Sequence, residues 1–379
     1  MNITIEELMQ LSGESYVLYD LRAANERNYG YIPESVSETA DGVLAAELPK
    51  DKKIVLYCTR GELSKEVAEK LRESGRDAYS LDGGYFSWIR YRMQKESEEE
   101  VCKKVEQSIR TKFKSVLMGR FIKALKEYKL VNEGDKIAVC MSGGKDSMLM
   151  AKLFQELKRY SDVNFEVKYL VMDPGYNAEN RKLIEDNARR LNIPITIYES
   201  NIFESVYNVE KSPCYLCARM RRGYLYNFAK KEGCNKIALG HHYDDVIETI
   251  LMGMLYSGQF GTMMPKLHSE NFDGMELIRP MYFIREDDII AWRDYNNLQF
   301  LRCACKFTDT CTTCNNGDNH SKRLETKELI RKLKKVNPTV EQCIFRSSEN
   351  VSLETVLAYK KNRVKHSFLE SYDDNGDNK

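Results

Sequence analysis

The 379-residue chain has no apolar run long enough to cross a bilayer, and its first residues, MNITIEELMQ, are acidic, with no basic stretch leading into an apolar one. Neither a membrane anchor nor a secretory leader is indicated, so the chain reads as cytoplasmic. An excess of one charge sign is also missing: 58 Lys and Arg face 57 Asp and Glu, a net charge of +1. There is no internal repeat and no recognisable RNA-recognition or zinc-finger module. Cysteine, by contrast, is present eleven times. In a reducing compartment such a set does not build a disulfide frame, so its clusters point to metal binding or sulfur chemistry. The length suggests two or three domains, and 42% apolar residues are enough for buried cores.

The near-zero net charge hides an asymmetry. Residues 1–90 carry 11 basic against 16 acidic side chains, and the remainder carries 47 against 41. From Lys103 to Lys129 nine basic residues face two acidic ones, and SKRLETKELIRKLKK and YKKNRVKH add two more basic segments. Each alone is consistent with a solvated helix face. Three around one catalytic domain favour an RNA backbone as partner.

Residues 1–92 alternate short strands (SYVLYDL, KIVLYC, DAYSLDGG) with helical segments such as SKEVAEKLRESG, a small α/β unit. Residues 93–135 read as a charged helical linker and a basic helix. Over 136–320, strand and helix patterns alternate again, which predicts a parallel sheet with helices on both faces and a ligand at the carboxyl ends of the strands. Residues 321–379 read as a helical, basic C-terminal segment with a polar tail, YDDNGDNK.

The stretch KIAVCMSGGKDSMLMAKLF contains an apolar strand, the loop Ser142-Gly143-Gly144-Lys145-Asp146-Ser147, and an apolar-periodic helix. Free amides at a helix start, aided by the helix dipole, cradle phosphate. The common nucleotide loop requires Lys followed directly by Ser or Thr, whereas Asp146 follows Lys145. A carboxylate among phosphate-binding amides needs a divalent cation between them, so Asp146 argues for magnesium-bridged polyphosphate. The loop resembles that of the PP-loop ATP pyrophosphatases, which implies ATP cleaved between its α and β phosphates and a carbonyl oxygen activated as its adenylate.

In VLYCTRGELSKEVAEKL a strand ends at Cys58, a Gly-containing loop follows, and a helix begins near Ser64. A cysteine ringed by loop amides at a helix start, beside Arg60, has the setting for a lowered thiol pKa and a stabilised persulfide. With YDLRAANERNYGYIPESVS before it and LDGGYFSWI after it, this part is similar to a complete single rhodanese domain. Such loops often have Arg before the final Ser; here Leu63 stands there, which favours a protein persulfide relay over thiosulfate turnover.

SPCYLCARMRRGYLYNFAK sets Cys214 and Cys217 three apart, a spacing that suits zinc or an iron–sulfur cluster. LRCACKFTDTCTTCNNGDNH adds Cys303, Cys305, Cys311 and Cys314, with His320 beyond. Two readings stand: the second group closes a zinc site alone, or one of its members joins Cys214 and Cys217 on a cluster. In GHHYDDVIETILM, Gly240 ends a strand, His241 falls in the turn, and Asp244 and Asp245 open a helix, as plain caps or as a second magnesium carboxylate.

Together EGDKIAVCMSGGKDS, PCYLCARMRRGYLY, GHHYDDVIET, LIRPMYFIREDDI and the CAC segment resemble the tRNA 2-thiocytidine synthetase (TtcA-like) family over residues 104–350. The resemblance implies an ATP-dependent tRNA sulfurtransferase with ATP and Mg2+ at Ser142–Ser147, Met172, Asp173, Gly240, His241, Asp244 and Asp245. It implies Lys145 and Asp146 as catalytic, and a three-cysteine 4Fe–4S cluster on Cys214, Cys217 and either Cys303 or Cys305. The fused Cys58 domain then offers the sulfur, loaded by a cysteine desulfurase or another donor. A homodimer is a further assembly the reading allows. The alternatives are thiolation of another RNA base or a small molecule, and a zinc-stabilised RNA-binding protein with a regulatory rhodanese domain.

Overall fold

The computed structural model describes residues 1–27, 30–49, 51–95, 97–200, 202, 213–300, 322–370 and 372, with the main chain alone for 24–25, 93–95 and 213–218. The chain forms two compact units, one of residues 1–242 with 265–310 and a second of 243–264 with 311–379.

The first unit holds two sheets. Strands β1 (Asn2–Ile3), β2 (Tyr16–Asp20), β3 (Val36–Ser37), β4 (Lys53–Tyr57) and β5 (Ala78–Leu81) pair in parallel, in the order β1-β5-β4-β2-β3. KIVLY of β4 is central, and from Ile54 onward it is fully buried, as a strand covered on both faces must be. Helices α1 (Ile5–Gln10), α2 (Ala24–Arg27), α3 (Ala40–Ala45), α4 (Glu62–Glu73) and α5 (Gly84–Lys95) accompany it. Val43 and Leu48 pack with Val67, Ala68 and Leu71 of α4 on Ile54 and Leu56. These strands and helices form an α/β arrangement, the fold class expected of the N-terminal part.

The second sheet contains β6 (Lys136–Met141), β7 (Glu166–Asp173), β8 (Ile195–Glu199), β9 (Lys236–Ala238), β10 (Lys266–His268) and β11 (Glu276–Ile278), in the order β10-β11-β9-β6-β7-β8. The chain runs outward from β6 through β7 to β8 and then returns to β9 on the other side of β6. The strand order therefore reverses between β6 and β9, the switch point where open α/β sheets leave a crevice for ligands. Five strands are parallel; β10 is an antiparallel edge on β11, and neither of these three-residue strands stands out as an apolar run in the sequence.

Before this sheet, α6 (Glu98–Arg110), a π-helical turn (Lys114–Gly119) and α7 (Arg120–Glu127) fill the region read as linker and basic helix. Helix α6 buries Val101, Val105 and Ile109. It is also bound to α8 (Lys145–Tyr160): Glu106 accepts from Lys152 at 2.9 Å and Arg159 at 2.7 Å, and Arg110 reaches Glu156 at 2.6 Å. Helix α9 (Ala178–Arg190), capped by Asn177, follows β7, and the helix Pro213–Lys231 precedes β9.

In the second unit the helices Tyr243–Ser257, Lys322–Val336 and Val340–Ser347 pack together, with Tyr243 stacked on Phe345. The segment read as helical and basic, with a polar tail, also contains a hairpin, β12 (Ala358–Lys361) and β13 (Val364–Ser367). Its two turn residues, Asn362 and Arg363, have φ of 51° and 67°, and the first is a residue that tolerates the left-handed region a tight hairpin needs.

Candidate active sites

The loop after β6 sits at the switch point, and its shape leaves little freedom. Gly143 has φ +80°, and a Cβ there would overlap Ile184 of α9, so glycine is required on both counts. Gly144 is the cap residue of α8. Ser147 closes the loop on itself: its Oγ accepts from the Ser142 amide at 3.2 Å and donates to the Gly144 carbonyl at 3.0 Å. The first amides of α8 are thereby gathered around one point, with the positive end of the helix dipole behind them.

Lys145 is almost fully buried, and its ammonium lies 3.0 Å from Asp146 and 3.2 Å from Glu286. Asp146 keeps a side chain 30% exposed, with His242 Nε2 4.0 Å from its Oδ1. From the other lip of the crevice Gly240 approaches closely: a Cβ there would lie 3.4 Å from the Asp146 carbonyl carbon and the Ser147 amide. Glu286, at the start of helix Glu286–Tyr295, was not singled out in the sequence although LIRPMYFIREDDI contains it. Its link to Lys145 spans 141 positions, and no local pattern encodes it.

Asp173, at the end of β7, spends its carboxylate on its own loop, accepting from the amides of Gly175 and Tyr176 at 2.8 and 2.7 Å and from Arg181 at 3.2 Å. The Met172 side chain is packed in the core, so anything it offers a nucleotide comes from its main chain. Asp244 and Asp245 open the helix Tyr243–Ser257 in the second unit, where Arg323 pairs with Asp245 at 3.0 Å and with Glu248 at 2.9 Å. Burial raises the Glu248 carboxyl pKa against the opposing pull of Arg323.

The second site lies at the end of β4. Cys58 is buried, and its sulfur accepts from the Gly61 amide at 3.1 Å and the Ser64 hydroxyl at 3.5 Å. Gly61 has φ +100° and begins α4, so the sulfur faces a helix N-terminus. Gly84 packs directly beneath: a Cβ there would come within 2.5 Å of the Cys58 carbonyl oxygen and 2.7 Å of the Gly61 amide. Ser80 shares a 2.8 Å hydrogen bond with Ser64. Donors directed at a sulfur are suited to a thiolate or a persulfide anion. Ser64 is the final residue of the loop motif, but its contact with the sulfur, and the part of Ser80, come from a fold contact that the motif does not state.

Of the other described thiols, Cys102 is half-buried and Cys343 exposed, while burial pushes the pKa of Cys140 up to about 12 and that of Cys234 to about 11, as for inert core thiols. Cys214 and Cys217 fall in helix Pro213–Lys231, but their side chains lie outside the described residues, as do Cys303, Cys305, Cys311, Cys314 and His320. Among the described residues no group of three or more potential metal-binding side chains forms a site, and no helix is long and apolar enough to cross a membrane.

A PP-loop domain family matches residues 105–306, and a rhodanese-like domain family matches residues 4–91. The tRNA-cytidine(32) 2-sulfurtransferase of Geotalea uraniireducens is 34% identical over 245 residues, which cover 64% of this chain and 93% of that protein. The tRNA-cytidine(32) 2-sulfurtransferase of Acaryochloris marina is 32% identical over 245 residues, covering 64% of this chain and 83% of that protein. Among solved structures, the U34-tRNA thiolase NcsA of Methanococcus maripaludis with its 4Fe–4S cluster aligns at 20% identity and a TM-score of 0.49, over 73% of this chain and 89% of that one.

Proposed function

The chain belongs to the PP-loop family, in the branch of the tRNA-cytidine(32) 2-sulfurtransferases, and from that premise we propose that it uses ATP to exchange the C2 oxygen of an anticodon-loop cytidine for sulfur. The cytidine oxygen attacks the α-phosphorus of ATP, the bond to the β-phosphate breaks, and pyrophosphate leaves. The adenylated oxygen is then a good leaving group, and the outer sulfur of a persulfide, attacking C2, expels it as AMP. A second thiolate of the chain then attacks the inner sulfur, the sulfur–sulfur bond breaks, the 2-thio group keeps the bonding pair and a disulfide is left on the protein.

The observation that carries this reading is the Ser142–Ser147 loop, gathered at a switch point, with a carboxylate one residue after its lysine. In the proposal the loop amides bind the phosphates, and Lys145 offsets the charge that builds on the departing pyrophosphate. Its contact with Glu286 holds the ammonium in place. Asp146 is the accessible carboxylate for magnesium; a second from Asp244 or Asp245 rests on the sequence alone. Asp173 shapes the 173–176 loop on the nucleoside side. Cys58, with Gly61 and Ser64 donating to its sulfur, carries the sulfur to be delivered as a persulfide.

Three thiolates, Cys214, Cys217 and either Cys303 or Cys305, are a soft donor set that fits an iron–sulfur cluster, whose uncoordinated iron would supply a site for a sulfur ligand. A zinc-bound chain would be colourless and a cluster-bound chain brown, so iron and zinc analysis of anaerobically purified protein separates this reading from a zinc-stabilised RNA-binding protein.

The test is pyrophosphate release from ATP in the presence of unmodified tRNA. Wild type is expected to release pyrophosphate and form AMP in a tRNA-dependent way. Lys145→Ala is expected to lose at least about 100-fold, the size of one lost transition-state donor. Cys58→Ala is expected to keep pyrophosphate release while losing sulfur delivery. Absence of tRNA-dependent AMP formation by wild type would overturn the proposal.

A further inference from the structure

The loop that carries Cys58 is attached to the PP-loop domain at two points. At the first, Glu179 in the opening turn of α9 receives two cations from the N-terminal domain: Arg60, two residues beyond Cys58, with its Nε at 3.9 Å, and Arg90 of α5 at 3.5 Å. Helix α9 begins five residues after Asp173, the end of β7, on the carboxyl edge of the sheet where the ATP loop lies.

The second point is Tyr85. Its amide donates to the Cys58 carbonyl at 2.9 Å, and its hydroxyl donates to Gln299 at 2.5 Å, 214 positions away. Its ring is held from above by the Arg22 guanidinium, 3.8 Å from the ring centroid, and Arg22 is itself fixed by Asp20 at 2.6 Å. Gln299 is fixed in turn, its carbonyl accepting from Asn187 of α9 at 3.0 Å. Gly30 leaves room for this pair, since a Cβ there would overlap both the Gln299 side chain and the Tyr85 hydroxyl. Glu179 and Asn187 lie eight residues apart, about 12 Å along α9, so the two attachments fix orientation as well as distance.

Building on the relay reading above, we propose that Tyr85 and the Arg60–Glu179–Arg90 contact are a docking device that makes sulfur transfer from Cys58 an event within one chain. Tyr85 and Glu179 are positioning residues. They hold the Cys58 loop at the ATP-binding edge, so that its persulfide meets a thiolate of the same polypeptide. Engaging Arg60 with Glu179 also turns the one cation of the sulfur loop toward the partner domain and away from a small anionic donor such as thiosulfate. In the transfer step the accepting thiolate attacks the outer sulfur of the Cys58 persulfide. The sulfur–sulfur bond to Cys58 breaks, Cys58 departs as thiolate with the bonding pair, and a new sulfur–sulfur bond forms on the acceptor. One persulfide replaces another, and no oxidant or reductant is consumed.

The test uses the full chain loaded at Cys58 with radiolabelled sulfur from inorganic polysulfide, then given ATP and tRNA for a single turnover. Glu179→Arg and Tyr85→Phe are expected to load as wild type does and to release pyrophosphate as wild type does, while label enters tRNA at least tenfold more slowly. Normal loading and normal pyrophosphate release show that both domains are folded. In a second arm, Cys58→Ala chains are mixed with Asp146→Ala chains. Transfer within one chain predicts less than about a twentieth of wild-type product from the mixture. Restoration of product by mixing, or wild-type transfer rates in both docking variants while Cys58→Ala alone is inactive, overturns the docking device and leaves the relay standing. If Cys58→Ala alone thiolates tRNA at the wild-type rate with the same donor, the relay itself fails, and the docking proposal with it.

Discussion

Gly143 combines a left-handed φ of +80° with an absent Cβ that Ile184 would otherwise meet. Alanine there must bear both the backbone cost, about 1–2 kcal/mol, and the displacement of α9 against the phosphate loop. Gly143→Ala is therefore expected to reduce tRNA-dependent AMP formation by at least about tenfold while the far-ultraviolet circular dichroism stays near that of wild type; unchanged activity would show that the loop tolerates another shape. Around the sulfur the magnitudes are smaller. Ser64→Ala removes one donor to Cys58, worth about 1 kcal/mol for a hydrogen bond of this kind, and is expected to lower persulfide occupancy about fivefold by mass spectrometry. At this scale the sequence was legible where a residue's role is local. Gly143, Lys145, Asp146 and Cys58 stand in short patterns whose backbone consequences follow from glycine placement and a strand-to-helix turn. Glu286, Glu179 and Tyr85 act through partners brought near only by folding, and their neighbours in the chain give no sign of it.

Helices α6 and α8 are joined by charge as well as by apolar packing. Lys152 has no exposure, and it donates to Glu106 and to the Leu191 carbonyl, each at 2.9 Å, with Arg159 on the same carboxylate. Burial drives the Glu106 pKa upward, but hydrogen bonds from Arg159 and Lys152 outweigh it and hold the carboxyl at about 2, below its ordinary 4.5. A depressed folded-state value means that the ionised carboxylate stabilises the fold above about pH 4.5 and that this contribution fades as the pH falls toward 2. Glu106→Gln leaves the buried lysine without its counter-charge, a change of about 3–5 kcal/mol in comparable settings. The melting temperature of this variant is expected to lie roughly 10 °C below wild type at pH 7, with the gap closing between pH 4.5 and 2. A gap below about 2 °C at pH 7, or one that widens in acid, would contradict the assignment. The elements themselves were largely legible: β4, β6, β7, β8 and α9 follow from apolar runs and periodicity. The three-residue strands β10 and β11 and the hairpin β12–β13 were not, because short edge strands and polar hairpins are set by pairing partners and not by an apolar pattern of their own.

For the molecule as a whole, the α/β class and the two sheets, one in the rhodanese-like part and one in the PP-loop part, were legible because each has its own glycine-marked loop. What was not legible is how the sulfur loop is held against the nucleotide domain, which depends on side chains up to 214 positions apart. The basic segments gain meaning at this scale too. Lys360, Lys361, Arg363 and Lys365 lie on the exposed hairpin, where Tyr359 stacks on His366. Replacing those four with alanine is expected to weaken tRNA binding regardless of the base at position 32 and to flatten the salt dependence of log K by about 0.9 for each phosphate that is no longer neutralised. An unchanged slope would remove the hairpin from the RNA surface. Nucleoside mass spectrometry of tRNA from a strain lacking this gene, complemented with wild type or with Asp146→Ala, decides whether this chain thiolates cytidine. 2-Thiocytidine is expected to disappear in the deletion, to return with wild type and not to return with Asp146→Ala. Undiminished 2-thiocytidine in the deletion, in a strain with no second such enzyme, would contradict that expectation.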